Sequence, residues 1–210
     1  MPGFAGVRAE SDSNWKNWKT EIASYIQANS LDGTTIIGHS MGGMMALDLA
    51  SEYPDLIGKI VVVDALPALS ALYNPNFESK ENLNCQPMIE IMTNQSAEQF
   101  SVVQMAAVGS MCQTIGKQES IVSWAIESDR ETLGKMYCEL SNLDLRNQLD
   151  KITCPTLVLL ETPFKSMETK IDSQYEKLEG VQLSYAPKGL HFIMYDAPEW
   201  YAAQLATFLK

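Results

Sequence analysis

Thr34-Thr35-Ile36-Ile37-Gly38-His39-Ser40-Met41-Gly42-Gly43-Met44-Met45-Ala46-Leu47-Asp48-Leu49-Ala50 joins a short apolar β-branched run to a run of good helix formers through one Gly-x-Ser-x-Gly turn. Strand, one sharp turn with Ser at its apex, then helix is the context a nucleophile elbow requires. Gly38 and Gly42 flank the apex, where strand and helix backbones come close. A Cβ at either place is expected to collide, and the apex residue is expected in an unfavourable φ/ψ region. Such a turn exposes the Ser40 hydroxyl and aims the next backbone N–H, that of Met41, at the same point. Ser40 is therefore the candidate nucleophile and Met41 N–H a candidate oxyanion donor. The plain alternative is a Gly-rich strand–helix turn without chemistry.

Outward from this stretch the pattern alternates. Trp15, Trp18, Ile22, Tyr25 and Ile26 recur at helical spacing, with Asp12 or Ser13 as the expected cap and Leu31-Asp32-Gly33 as the stop. The helix after Ser40 runs to about Glu52, before Pro54. Lys59-Ile60-Val61-Val62-Val63-Asp64 and Pro155-Thr156-Leu157-Val158-Leu159-Leu160 are continuous apolar runs, the mark of strands covered on both faces of a parallel sheet. Val181-Gln182-Leu183-Ser184-Tyr185 is a weaker strand, and Trp200 to Leu209 closes the chain as a helix. Strand and helix alternating at these lengths mean an α/β, doubly wound, mainly parallel sheet.

Residues 65–151 break the alternation. They hold no convincing strand, but helical segments around Ala97–Val108, Gln118–Ser128 and Arg130–Leu140. Met88, Met92, Met105, Met111 and Met136 fall here; Met is a pliable filler, read singly as core packing. As a unit the stretch reads as a helical lid or cap insertion, with residues 1–64 and 152–210 forming the core.

With 210 residues, 46% of them hydrophobic, the chain can bury one sizeable core. The net charge of −11 argues against nucleic acid and against anionic membrane surfaces. No apolar run is long enough to span a bilayer, and no charged-then-apolar leader opens the chain. Cys85, Cys112, Cys138 and Cys154 lack metal-site or redox spacing and read as four buried thiols, two disulfides in an exported protein being the alternative, so no metal and no cofactor are expected. The expected partner is a small-molecule substrate.

Taken together, the elbow, Met1-Pro2-Gly3-Phe4-Ala5-Gly6, Ile152-Thr153-Cys154-Pro155-Thr156-Leu157-Val158-Leu159, and Gly189-Leu190-His191-Phe192-Ile193-Met194 with Asp196-Ala197-Pro198-Glu199 resemble the α/β-hydrolase superfamily, in its lidded serine-esterase-like members. The first stretch is similar to the loop after the family's fourth strand, the second to the entry into its penultimate strand, the third to its catalytic-histidine loop. The resemblance implies that the family's first four strands have no counterpart here, nor has the loop supplying the second oxyanion N–H. The chain then reads as a piece of a longer protein, the alternative being a reduced sheet built by another route.

A serine hydroxyl needs a base, and the chain has two histidines. His39 lies inside the elbow, beside the turn, and reads as structural or as a pocket wall. His191, in a loop past the last strand, is the base by elimination and position. The family's commoner acid position falls near Phe164, which cannot serve. Some members instead use a carboxylate ending the strand after the elbow helix, where Asp64 stands; Glu161 is the other candidate. These residues point to acyl transfer to water on a small apolar ester or related carbonyl compound. A ligand-binding protein of the same fold, or an inactive fragment, is the alternative.

Overall fold

The computed structural model describes residues 1–10 and 13–210, so the cap expected at Asp12 lies outside the described residues. Four strands, β1 (Thr34–His39), β2 (Ile57–Val63), β3 (Thr156–Leu160) and β4 (Gln182–Tyr185), make one sheet in the order β1-β2-β3-β4, every neighbouring pair parallel. The register aligns the strand ends: His39 pairs with Val63, and Val63 with Leu159. The carboxyl edge of the sheet, where open α/β folds bind ligands, is therefore level across three strands.

Both faces are covered, which is why β2 and β3 are apolar without alternation. On one face Ile60, Val62, Val158 and Leu160 pack with α1 (Trp15–Ala28), the elbow helix α2 (Met41–Glu52) and α7 (Glu168–Gln174). On the other, Val61, Val63, Leu157 and Leu159 meet the short α8 (Ile193–Asp196) and the closing α9 (Pro198–Phe208). The architecture is the doubly wound α/β sheet that the strand pattern implied.

The cap of α1 is Asn14, whose Oδ1 accepts from Asn17 N–H at 2.9 Å, rather than Ser13. Trp15 and Trp18 are buried, and the indole N–H of Trp15 donates to Asp48 Oδ2 at 2.6 Å. Lys19 Nζ reaches Asp48 Oδ1 at 3.0 Å, so the buried carboxylate on α2 keeps a donor on each oxygen.

Between β2 and β3 the chain forms α3 (Gln86–Thr93), α4 (Ala97–Met111), α5 (Ile115–Ile126) and α6 (Arg130–Asn142). Helix α3 gave no clear signal in the sequence. Helix α4 opens on a capping box between Ser96 and Gln99. Of the methionines here, Met136 joins the main core, whereas Met105 is 45% exposed and Met88, Met92 and Met111 are half-buried; plain core packing holds for Met136 only.

The four-thiol reading is corrected by the packing of α3 on α6. A Cβ on Gly134 would lie 2.7 Å from the Ile89 Cα, so the glycine lets the helices touch backbone to backbone. That approach brings Cys85 and Cys138, 53 residues apart, to a Cα separation of 5.5 Å, and they form a disulfide. Cys112 and Cys154 remain free.

Two glycines test this packing. Gly134→Ala should overpack the contact and lower unfolding stability by about 1–3 kcal/mol. Exposed Gly109, in α4 with nothing within 4 Å of an added Cβ, should gain about 0.5–1 kcal/mol as Ala. Urea midpoints of the two variants, measured oxidised, should move in opposite directions.

Candidate active site

Strand β1 delivers Ser40 into a turn with φ 53° and ψ −120°, a left-handed region costly to a residue with a Cβ. Crowding forces the turn. A Cβ on Gly38 would stand 2.0 Å from the Gly42 carbonyl oxygen. The second flanking glycine has a different role from the expected one. Gly42 itself has open space where a Cβ would go; Gly43 is the tight position, its Cβ falling 2.8 Å from that of Ala65. The reason is directional: the elbow helix turns its Gly43 side onto the end of β2 and its Gly42 side toward an apolar cavity beside β1.

Two backbone bonds bind the strand ends together. Ser40 N–H donates to Val63 O at 2.8 Å, and Asp64 N–H to Leu159 O at 2.7 Å. Asp64 also has a positive φ, 51°, and its side chain is fully buried. Its Oδ1 accepts from Glu161 N–H at 2.7 Å, and its Oδ2 lies 2.6 Å from His191 Nδ1. A carboxylate can only accept, so Nδ1 carries a proton, which in the neutral tautomer leaves the lone pair on Nε2.

Ser40, Asp64 and His191 line one pocket of about 110 Å³, walled by Leu66, Leu69, Leu140 and Phe164. Met41 lines it too, and its N–H is the first of α2, where helical N–H groups lack intrahelical partners. Glu161 meets Asp64 through its backbone N–H; it is the carboxylate of Asp64 that holds the imidazole.

His39 does not line this pocket; it takes the structural part, holding the backbone of His191. Its Nε2–H donates to the His191 carbonyl at 2.9 Å, and the rings of His39, His191 and Phe192 cluster, with centroids 4.5 Å apart for the two histidines and 5.0 and 5.5 Å from each of them to Phe192. Burial, reinforced by the neighbouring His191, pushes the His39 imidazole down to about 4 despite the bond to the carbonyl. It stays neutral beside His191 at ordinary pH.

Comparison with known proteins agrees with this topology. The model of the alpha/beta hydrolase fold family matches residues 16–89. The RutD protein of Serratia proteamaculans is 29% identical over 139 residues, 66% of this chain and 51% of RutD. Mouse sn-1-specific diacylglycerol lipase ABHD11 is 23% identical over 94% of this chain and 66% of its own length. Among solved structures, the esterase EaEST of Exiguobacterium antarcticum superposes on 98% of the chain and 78% of its own, with a TM-score of 0.74 at 19% identity. The chain has the alpha/beta hydrolase fold. It spans about half the length of RutD, the first of these relatives.

Glu161 supplies a pH test. Burial first, then the Asp64 carboxylate, pushes it up to about 7 against an opposing pull from His191. A raised folded-state acid favours folding below its unfolded value near 4.5, and that contribution is lost as pH rises through about 7. Glu161→Gln should therefore stabilise the protein relative to wild type more at pH 8 than at pH 5. Denaturant midpoints at the two pH values measure the difference.

Proposed function

We propose that the chain is a serine hydrolase acting on a small, mostly apolar ester or related carbonyl compound through an acyl-enzyme on Ser40. The observation that carries this reading is the 2.6 Å bond from His191 Nδ1 to the buried Asp64 carboxylate, in a pocket that Ser40 also lines. In this reading residues 65–151 are the lid over the sheet's carboxyl edge, contributing Leu66, Leu69 and Leu140 to the pocket wall.

The roles follow from the atoms. His191 Nε2 takes the Ser40 proton as Oγ attacks the substrate carbonyl. Negative charge gathers on the carbonyl oxygen and faces the Met41 N–H at the positive end of α2. Asp64 keeps the imidazole in the useful tautomer and stabilises the imidazolium that forms. The imidazolium then returns the proton to the departing alkoxide, leaving acyl-Ser40. Water, activated by the same nitrogen, releases the acid and restores the serine. Every step uses side chains and a backbone N–H of this chain together with one water, so the reading needs no cofactor. The pocket volume of about 110 Å³ and its aliphatic walls favour a short uncharged acyl group. The mouse relative is a lipase by name, and so an ester hydrolase.

Reaction with a fluorophosphonate reagent tests the nucleophile. Wild type should label stoichiometrically and Ser40→Ala not at all, with Tm little changed, because the hydroxyl has no packing task. A wild-type chain that never labels would instead be a non-catalytic binding protein.

The acid has its own test. Asp64→Asn should cost about 10⁴ in kcat through the wrong histidine tautomer. Glu161→Gln should keep most of the activity on short p-nitrophenyl esters. A reversed order would make Glu161 the acid.

A further inference from the structure

Besides Asp48 and Asp64, a further buried carboxylate lies five residues beyond His191. Asp196 is only 8% exposed and collects donors from two separate parts of the chain. Its Oδ1 accepts from Thr114 N–H at 2.9 Å, the Thr114 hydroxyl at 2.8 Å and Gln113 N–H at 3.0 Å, with the Cys112 thiol at 3.6 Å. Its Oδ2 accepts from Leu190 N–H at 3.0 Å and from Gln113 N–H at 3.0 Å. Cys112, Gln113 and Thr114 are the link between α4 and α5; Leu190 immediately precedes His191.

Other contacts fasten the same seam. Phe192 N–H donates to Met111 O at 3.1 Å, and the Thr114 hydroxyl reaches Tyr195 O at 3.0 Å. Phe192 and Tyr195 also pack on a small apolar cluster of Val108, Cys112, Ile121 and Val122. On the loop's other flank Gly189, at φ +106°, turns its bare Cα side onto Asp196; a Cβ there would lie 2.8 Å from the Asp196 Cβ. Burial pushes the Asp196 carboxyl up, but the N–H groups of Gln113, Leu190 and Thr114 and the Thr114 hydroxyl outweigh it and hold the group below its ordinary range. The carboxylate stays ionised and keeps accepting on both oxygens.

We propose that Asp196 is a positioning residue for His191. Through Leu190 N–H it fixes the loop that carries the imidazole, and through Gln113 and Thr114 it anchors that loop to the α4–α5 link. The placement of His191 is thus coupled to the helical excursion over the sheet. Asp196 touches no reacting atom; it acts by where it puts the ring. Imidazole placement is demanding, since a misplacement of about 1 Å can cost about 10²-fold in rate.

The inference rests on His191 being the base, and the experiment separates the two claims. Asp196→Asn keeps the shape but replaces one accepting oxygen by an N–H donor, which must face either Leu190 N–H or the Thr114 donors. Turnover of a short p-nitrophenyl ester should fall by about 10- to 100-fold in kcat, with KM little changed. The far-downfield proton resonance of His191 Nδ1–H, identified by its loss in Asp64→Asn, should shift or broaden in Asp196→Asn while the rest of the spectrum stays folded. Thr114→Val, which removes the hydroxyl but leaves both backbone donors, should move both readouts the same way by less, and it carries the test if Asp196→Asn does not fold. Unchanged kcat and an unmoved resonance in the folded variants would overturn the proposal. If His191→Ala keeps wild-type turnover, the reading of the base falls instead. The resonance then still reports whether Asp196 holds the ring.

Discussion

The hydrogen bond from Ser40 N–H to Val63 O is the constraint on which the rest of the site depends. It ties the apex of the elbow to the last residue of the neighbouring strand, and the next residue along that strand is Asp64. Parallel register makes the bond available, because His39 stands opposite Val63 and Val63 opposite Leu159. The turns that follow cannot relax independently. Ser40 and Asp64 both take a positive φ, at 53° and 51°, and both are non-glycine. Each such residue costs on the order of 1–3 kcal/mol unless its surroundings over-determine it. Here the surroundings are the packed strands beneath, whose Val61, Val62, Val63, Leu159 and Leu160 are essentially inaccessible to water. A rigid, doubly covered sheet holds the strained residues at its edge.

Electrostatics at that edge sort three titratable neighbours by environment. Asp64 has two N–H partners; Glu161, beside it, has its own carboxyl pushed up to about 7 by burial and by Asp64. His39 is pushed down to about 4, so it presents a neutral ring and a single N–H donor to the His191 backbone. Two imidazoles 4.5 Å apart are compatible when one of them does not charge. The His191 loop is therefore held by contacts from β1, β2 and the α4–α5 link at once.

Legibility in the sequence divided along physical lines. The strands were readable because a strand covered on both faces must be apolar throughout, and Val61-Val62-Val63 and Leu157-Val158-Leu159-Leu160 leave few other readings. The elbow was readable because only glycine satisfies a backbone approach as close as that of Gly38 to Gly42. The same logic misassigned Gly42, whose own side faces open space, while the neighbouring Gly43 meets Ala65. Spacing identifies that a glycine is needed near a turn; the direction each Cα faces is set by how the helix settles on the sheet.

Local chemistry thus determined the sheet, most of the helices and the candidates Ser40 and His191, because β-branched runs, tight turns and titratable side chains act over a few residues, while the family resemblance added Asp64. Choosing between Asp64 and Glu161 as the partner of His191 needed the tertiary structure. The two residues end adjacent strands at nearly the same height, and only the direction of their side chains separates them. The Cys85–Cys138 disulfide, the backbone contact at Gly134, the His39–His191 ring pair and the five groups gathered on Asp196 belong to the same class. Each joins segments far apart in sequence, and the pairing energy of such contacts leaves no periodic trace along the chain. They exist only where folded helices and strand ends meet.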